Sequence, residues 1–488
     1  MNTNLLDVIS RFAEQRILVI GESMLDSYLV GPTERLCREA PVPVVAIDQE
    51  IYVPGGAANT AFNVTSLGGE AVFLSVTGVD PPGDKLRQSL EERGVCTQNV
   101  LPVSSRSTIS KQRIIAASQM VVRFDQGTTA PLDPQSEDLF IRRLRKLFSD
   151  CDAIVISDYN YGVITPRIIQ LLEQLQRQDP HLVVVDSKRP HVLRGISPTA
   201  VKPNYDEASQ LLGLKKVHND AERLHQIESH GRQILELAGT QIAAVTLDHK
   251  GALIFHHKDD TPYRTYARPE PNSRAAGAGD TFVSAMALSL AAGAHVENAA
   301  ELASAAASIV VSKNGTAACY AGELRDHFST SDKFVNDVFQ LAARVTAYKQ
   351  AGQRVVFTNG CFDILHRGHI AYLNRAKTLG DVLIIGLNSD TSVRRLKGTD
   401  RPINPLEDRA QILAALSCVD HIVPFDGDTP RELIRVIRPD VFAKGGDYTR
   451  QTLPEAPLVE ELGGEVEILP YLQNHSTTSI IERIREIL

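Results

Sequence analysis

Short apolar runs bounded by turn residues alternate with longer stretches of helical period along much of the chain. Residues 16–22, 153–157 and 182–186 are continuous and apolar, as strands buried on both faces are. Between them, residues 137–148 and 168–176 carry apolar positions at helical spacing. Strands alternating with helices predict a mostly parallel α/β sheet covered on both faces. Residues 242–247 and 252–256 flank Asp248-His249-Lys250-Gly251, which predicts a hairpin. Residues 42–52 and 107–124 differ: they alternate, are β-branched, and lack intervening helices, so they predict a small accessory sheet. Residues 323–350 are helix-prone, then polar, and carry no motif. Fresh strand patterns begin at 354–358 and recur at 381–387, 440–444 and 465–469. The expected organisation is one α/β domain over 1–328, a linker over 329–352, and a second α/β domain over 353–488.

Composition narrows the class. Apolar residues make up 43% and charged residues 23%, a mixture that excludes wholesale disorder and fibrous chains. Lys and Arg number 51 against 59 Asp and Glu, a net charge of −8, which argues against a nucleic-acid binder. No apolar run approaches the ~18 residues of a membrane span, and the first residues lack the apolar core of a signal peptide. The six cysteines stand singly with no metal-binding spacing, which fits reduced thiols in the cytoplasm.

The sharpest motif is Gly277-Ala278-Gly279-Asp280 opening an apolar helical run. Small residues allow close backbone approach, and N–H groups at a helix start suit an anion. An Asp beside such an anion hole is placed to take a proton from an attacking hydroxyl, which is what phosphoryl transfer needs. Gly55 and Gly56 precede a helix carrying Asn59, a setting for a polyol; Asp26 follows the first strand as an acceptor for sugar hydroxyls. Asn204-Tyr205-Asp206-Glu207 offers oxygen ligands for Mg²⁺ through water. Thr246 and Gly251 are placed to line a nucleotide. Taken singly, each also reads as a strand end, a cap or a turn.

Their order resembles the ribokinase family of sugar kinases over roughly residues 10–325. The resemblance implies a ribokinase-like α/β domain with a small β-lid that often mediates homodimerisation. It implies sugar binding by Gly55, Gly56 and Asn59, Mg²⁺–ATP service by Asn204 and Glu207, and Asp280 as catalytic base. In many members a monovalent cation sits beside the anion hole, next to an Asp and a hydroxyl residue. Here Arg274 and Ala276 stand at those positions, so K⁺ is not expected.

In the second region, Asn359, Gly360, Phe362 and Asp363 close a strand, and His366 and His369, three apart, open a helical pattern. Their N–H groups and the helix start suit nucleotide phosphates. A zinc site would need further ligands nearby, and none stands there, so zinc is not expected. Lys397, Arg409, Lys444 and the run Ser476-Thr477-Thr478-Ser479 add phosphate-binding chemistry. This set resembles the cytidylyltransferase-type nucleotidyltransferases with their H-x-G-H signature. The resemblance implies a Rossmann-like domain in which a substrate phosphate attacks the α-phosphorus of a nucleoside triphosphate. His366 and His369 would steady the charge that develops.

The fusion resembles the bifunctional heptose 7-phosphate kinase / heptose 1-phosphate adenylyltransferases of Gram-negative bacteria. That implies phosphorylation of D-glycero-β-D-manno-heptose 7-phosphate at its anomeric oxygen. It further implies adenylylation of heptose 1-phosphate with release of pyrophosphate, for the lipopolysaccharide core. ATP serves both steps, and a separate phosphatase acts between them. Arg106, Lys111, Arg113, Arg123, Lys188 and Arg189 are open candidates for binding the 7-phosphate. Another sugar or polyol kinase fused to a cytidylyltransferase-like partner, or a silent nucleotide- or sugar-binding regulator, would share these motifs.

Overall fold

The computed structural model describes residues 5–117, 119–259, 261–267, 275–313, 315–328, 333–446 and 449–469. The chain divides into two compact units, Leu5–Arg325 and Asp326–Leu488.

The first unit is built on a nine-stranded sheet. Its strand Arg16–Gly21, third from one edge, lies between Glu70–Gly78 and Ala153–Asp158, both parallel to it. Leu182–Ser187, Ala200–Val201 and Ile242–Thr246 continue the parallel set. The predicted hairpin then turns back as the antiparallel strand Ala252–His256. Ile17, Leu18, Val19 and Ile20 are fully buried, as a strand covered on both faces requires.

The accessory sheet forms as a four-stranded lid from Gln49–Gly56, Ser23–Val30, Ile109–Ala116 and Gln119–Gln126. Ser23–Val30 is the addition to the sequence reading. The chain leaves the Arg16–Gly21 strand and runs almost directly into the lid, so Asp26 is a lid residue.

The second unit holds five parallel strands in the spatial order His421–Phe425, Val382–Asn388, Val355–Gly360, Val441–Gly445, Glu465–Leu469. Strand order reverses at Val355–Gly360, which opens a crevice at the carboxyl ends of that strand and Val441–Gly445. The stretch read as a linker is not one throughout. Val338–Gln350 is a helix whose Leu341 and Val345 are buried in this unit's core beside Phe357, Ile434 and Phe442. Just before it, Phe334 bridges to Ile422 at the sheet edge. Apolar positions hidden among polar ones on a moderately amphipathic helix escaped the pattern reading.

Candidate active sites

In the first unit, the carboxyl ends of four neighbouring strands converge on the start of one helix. They present Asp158 and Tyr159, Asp186 and Lys188, Lys202 and Asn204, and Thr246. The helix is Ala278–Ala291, entered from Gly277 with φ +94. A side chain at Gly277 would be strained at that φ, and its Cβ would lie 2.5 Å from the Asn59 amide. The first N–H groups of the helix have no partner within it and face the carboxyl-end groups.

Asp280 sits in the first turn and is buried. Asn59 Nδ2 donates to its Oδ2 at 2.7 Å, and the Tyr159 hydroxyl donates to its Oδ1 at 3.0 Å. Burial pushes the Asp280 carboxyl above its ordinary value, while the Asn59 and Tyr159 hydrogen bonds and Lys202 pull it back.

Two cavities meet here. A polar one of about 200 Å³ is lined by Asp158, Tyr159, Asp186, Lys188, Glu207 and Asp280. A larger one of about 490 Å³ is mostly apolar and is lined by Thr246, Gly251, Ala278, Phe282, Ala307 and Val311. Lys202, Asn204 and Gly279 border both. Lys202 is the one side-chain cation lining both among the described residues, and it pairs with Asp186 at 3.1 Å. Burial works against its ammonium, but Asp186, Glu207 and Asp280 outweigh that and hold it above its ordinary value. Asp186 is pushed up to about 6 by burial, with Lys202 opposing. An apolar slot for a base, joined through a lysine and a helix start to a carboxylate-lined polar chamber, suits transfer of a terminal phosphate.

The N-x-x-E residues separate into two pairs. Asn204 caps the helix Tyr205–Leu212; its Oδ1 accepts from Glu207 N at 2.8 Å, and Glu207 Oε2 accepts from Asn204 N at 2.9 Å. This reciprocal box turns both toward the cavity and sends the intervening pair elsewhere. Tyr205 is buried, with its hydroxyl on Gln226 and Val217 N. Asp206 pairs with Lys216 in solvent. Neither is among the residues lining the two cavities, where the sequence reading placed both at the nucleotide.

Asp26, Gly55 and Gly56 meet in the lid. A Cβ on Gly55 would lie 2.5 Å from Asp26 Oδ2. Asp26 Oδ1 accepts from Arg113 at 2.6 Å, and Asp26 is near enough to Asp280 to raise it. Ala276 forms a short bridge with Thr316; Arg274 lies outside the described residues. Tyr159, Asp186 and Lys202 were not singled out from the sequence. Lys202 had a signal: a lysine immediately after a buried strand, in Val201-Lys202-Pro203.

In the second unit the histidines flank the crevice. His366 caps the helix Arg367–Lys377, and its ring stacks on that of His369 with centroids 3.9 Å apart. Phe362, at φ 44, packs edge-on against His369. Burial, with His366 adding, pulls His369 down to about 3, so its imidazole is neutral at ordinary pH. Across the strand-order reversal Lys444 Nζ donates to Asn359 Oδ1 at 2.7 Å. Lys397 ends its helix exposed, near enough to the half-buried Cys361 thiol to act on it.

Two residues expected at the nucleotide site are engaged by the fold instead. Arg409 is fully buried: it donates to the carbonyls of Asn404 at 3.0 Å and Cys361 at 2.5 Å and pairs with Asp390 at 2.7 Å. Asp363 accepts from Ile403 N at 2.8 Å and Asn404 N at 2.9 Å and pairs with Arg401. Both fasten the 401–404 loop beside Cys361. Ser476, Thr477, Thr478 and Ser479 lie outside the described residues.

The first unit thus has the architecture of a sugar-kinase domain, and the second that of a nucleotidyltransferase domain. Residues 14–321 match the pfkB family carbohydrate kinase model, and residues 357–483 match the cytidylyltransferase-like model. Phosphofructokinase-2 from Escherichia coli, solved in complex with potassium, shares the first unit's fold. It aligns with a TM-score of 0.53 at 22% identity, covering 64% of this chain and 97% of that one.

Full-length relatives carry both domains. The bifunctional protein HldE of Pelobacter propionicus is 39% identical over 98% of each chain. That of Alcanivorax borkumensis is 40% identical, again over 98% of each. The chain belongs to this family of bifunctional HldE proteins, which join a carbohydrate kinase to a nucleotidyltransferase.

Proposed function

We propose that the first unit phosphorylates D-glycero-β-D-manno-heptose 7-phosphate at its anomeric oxygen, and that the second adenylylates heptose 1-phosphate to ADP-heptose for the lipopolysaccharide core. The observation carrying the kinase half is Asp280 at the junction of a polar chamber and an apolar slot, with Lys202 bordering both. Asp280 takes the proton of the anomeric hydroxyl as that oxygen bonds to the γ-phosphorus of ATP. The bond to the β-phosphate oxygen breaks and ADP leaves. Lys202 and the N–H groups of the Ala278–Ala291 helix steady the charge on the phosphate in flight.

Asn204 and Glu207 are the residues that would hold Mg²⁺. Each already has one side-chain oxygen on a backbone N–H, and Glu207 is raised by burial and by Asp186, so a divalent cation relieves it. No cluster of three or more His, Cys, Asp or Glu suited to a metal occurs among the described residues. A hydrated ion fits such a donor set better than a caged one. Mg²⁺ would screen the phosphates of ATP.

In the second unit a phosphate oxygen of the sugar 1-phosphate attacks the α-phosphorus of ATP, and pyrophosphate leaves. His366, His369 and Lys444 stabilise the developing charge, with Lys397 serving the leaving phosphates. A separate phosphatase removes the 7-phosphate between the steps. The lid supports a homodimer: Met120, Val121, Val122 and Phe124 of its outer strand are exposed apolar groups. Six free cysteines support action in the cytoplasm, and among the described residues no helix is long and apolar enough to cross a membrane.

The test is incubation with heptose 7-phosphate and ATP, followed by mass spectrometry. Heptose 1,7-bisphosphate is expected alone, and ADP-heptose once the phosphatase is added. Failure to phosphorylate heptose 7-phosphate, with turnover of another sugar, contradicts the substrate assignment.

A further inference from the structure

Glu22 is a buried carboxylate that the phosphate-transfer chemistry leaves unused. It stands between the strand Arg16–Gly21 and the lid strand Ser23–Val30 and is 1% exposed. A charged group so placed persists only when its oxygens are satisfied. Here backbone N–H groups satisfy them. Oε2 accepts from Tyr159 N at 2.7 Å, and Oε1 accepts from Val163 N at 3.1 Å and Tyr161 N at 3.3 Å. Burial and Asp158 push the Glu22 carboxyl above its ordinary value, and these bonds pull it back. Arg106 is a cation close enough to feel it, but donates instead to the carbonyls of Thr128 at 2.8 Å and Tyr161 at 3.1 Å. Tyr161 is thus held at both its N–H and its carbonyl.

The turn that Glu22 grips needs an outside anchor. It follows the strand Ala153–Asp158, and two of its residues are left-handed, Asn160 at φ 62 and Gly162 at φ 88. Asp158 secures the entry, where its Oδ1 accepts from Asn160 N at 2.9 Å. Beyond that point Glu22 supplies the acceptors that the turn's own backbone does not.

Tyr159 ties this turn to the chemistry. Its hydroxyl donates to Asp280 Oδ1 at 3.0 Å, a bond that favours the carboxylate form of Asp280. The Glu22 main chain serves the other donor: its carbonyl accepts from Ala57 N at 2.9 Å, at the start of the helix Ala57–Ser66 that carries Asn59. One residue therefore touches both segments that deliver donors to Asp280, with its side chain on one and its carbonyl on the other. Glu22 lines neither the polar chamber nor the apolar slot, so any effect on catalysis passes through these segments.

We propose that Glu22 is a positioning residue of the kinase site: its carboxylate fixes the 158–163 turn so that the Tyr159 hydroxyl meets Asp280. This rests on the reading of Asp280 as the base. Removing an acceptor from Glu22 frees the turn, withdraws the tyrosine hydroxyl, and leaves Asp280 harder to ionise.

The test measures kinase kcat/KM against pH, with heptose 7-phosphate and ATP, for wild type, Glu22→Gln, Glu22→Asp, Tyr159→Phe and the double variant Glu22→Gln with Tyr159→Phe. Gln keeps the volume but turns an NH2 group toward N–H donors; Asp keeps both acceptor oxygens on a stem shorter by one methylene. A positioning role makes Glu22→Gln the more damaging change, whereas simple packing makes Glu22→Asp the more damaging one. Loss of a hydrogen bond to a charged group corresponds to an acidic limb moved up by about one pH unit in Glu22→Gln and in Tyr159→Phe. The double variant should show no further shift, and Glu22→Asp should keep most of the wild-type profile. KM for ATP should stay within about twofold throughout. An unmoved limb in Glu22→Gln, a larger shift in Glu22→Asp, or shifts that add in the double variant overturn the proposal. A limb moved to lower pH in Glu22→Gln overturns it as well, because Glu22 itself would then be the titrating group. Should wild type turn over no heptose 7-phosphate, or Asp280→Asn keep kinase turnover, the earlier reading fails by itself. In that event, or if Glu22→Gln does not fold, amide hydrogen exchange on wild type decides whether Glu22 holds the turn. Protection at Tyr159, Tyr161 and Val163 supports it, and exchange at the rates of an unstructured peptide overturns it.

Discussion

Where the chain is cut between its two units decides whether the second one folds. A fragment beginning at residue 346 retains every strand of the second sheet but loses Val335, Leu341 and Val345, which are 2%, 0% and 3% exposed in that unit's core. Full burial of a Val or Leu side chain stabilises by about 1.5–3 kcal/mol, so the three together contribute roughly 5–9 kcal/mol as an upper estimate. A domain's whole stability is about 5–15 kcal/mol. The same cut removes two backbone hydrogen bonds, Val335 N to Ile422 O and Ile422 N to Lys333 O, both 2.8 Å, and bares the sheet edge at His421–Phe425. A fragment over 329–488 should therefore unfold cooperatively in urea and release pyrophosphate from ATP and heptose 1-phosphate. A fragment over 346–488 should show a midpoint near zero urea, aggregate, and lack activity. Equal urea midpoints and equal rates for the two would refute the assignment of the 338–350 helix to this core.

Other expectations follow from the site geometry. Asp280 must be ionised to accept a proton, and burial raises it, so kinase kcat/KM should fall with decreasing pH through a limb above the ordinary Asp value of 3.8. Tyr159→Phe removes a donor that favours the carboxylate, so its limb should move to higher pH; an unmoved limb would show that the 3.0 Å contact does not tune the base. Arg409→Met leaves two carbonyls and Asp390 without their donor, a cost of about 2–4 kcal/mol once the partial exposure of Asp390 is discounted. Thermal unfolding of the second unit should shift down and adenylylation should fall, with kinase turnover unchanged.

The sequence made the frame readable because its strongest cues are local. Continuous apolar strands, the Asp248–Gly251 turn and the glycine-rich start of the 278–291 helix each depend on neighbouring residues. What it hid was contact between distant segments. Tyr159 reaches Asp280 across 121 positions, and Asn59 reaches it across 221, so no spacing rule joins them. Arg409 looked like a phosphate ligand and Asp363 like a nucleotide contact because charge near a glycine-containing loop is ambiguous. Only the fold reveals that their partners are backbone carbonyls, N–H groups and each other's loops. Tyr205 and Asp206 were drawn in by adjacency; a capping box faces its first and last members one way and the middle pair another. Lys202 was legible in principle, since a buried strand delivers its next residue to the carboxyl edge where ligands of α/β sheets bind.

The central claim is that one chain carries two independent phosphate-transfer sites, one centred on Asp280 and the other on His366 and His369. The direct measurement is both activities on the same preparations of wild type, Asp280→Asn and His366→Ala, with heptose 7-phosphate plus ATP in one reaction and heptose 1-phosphate plus ATP in the other. Asp280→Asn should lose at least ~100-fold in bisphosphate formation, the usual contribution of a general base, and keep the wild-type rate of ADP-heptose formation. His366→Ala should do the reverse. Loss of both activities in either folded variant, or survival of kinase turnover without the Asp280 carboxylate, would contradict the account.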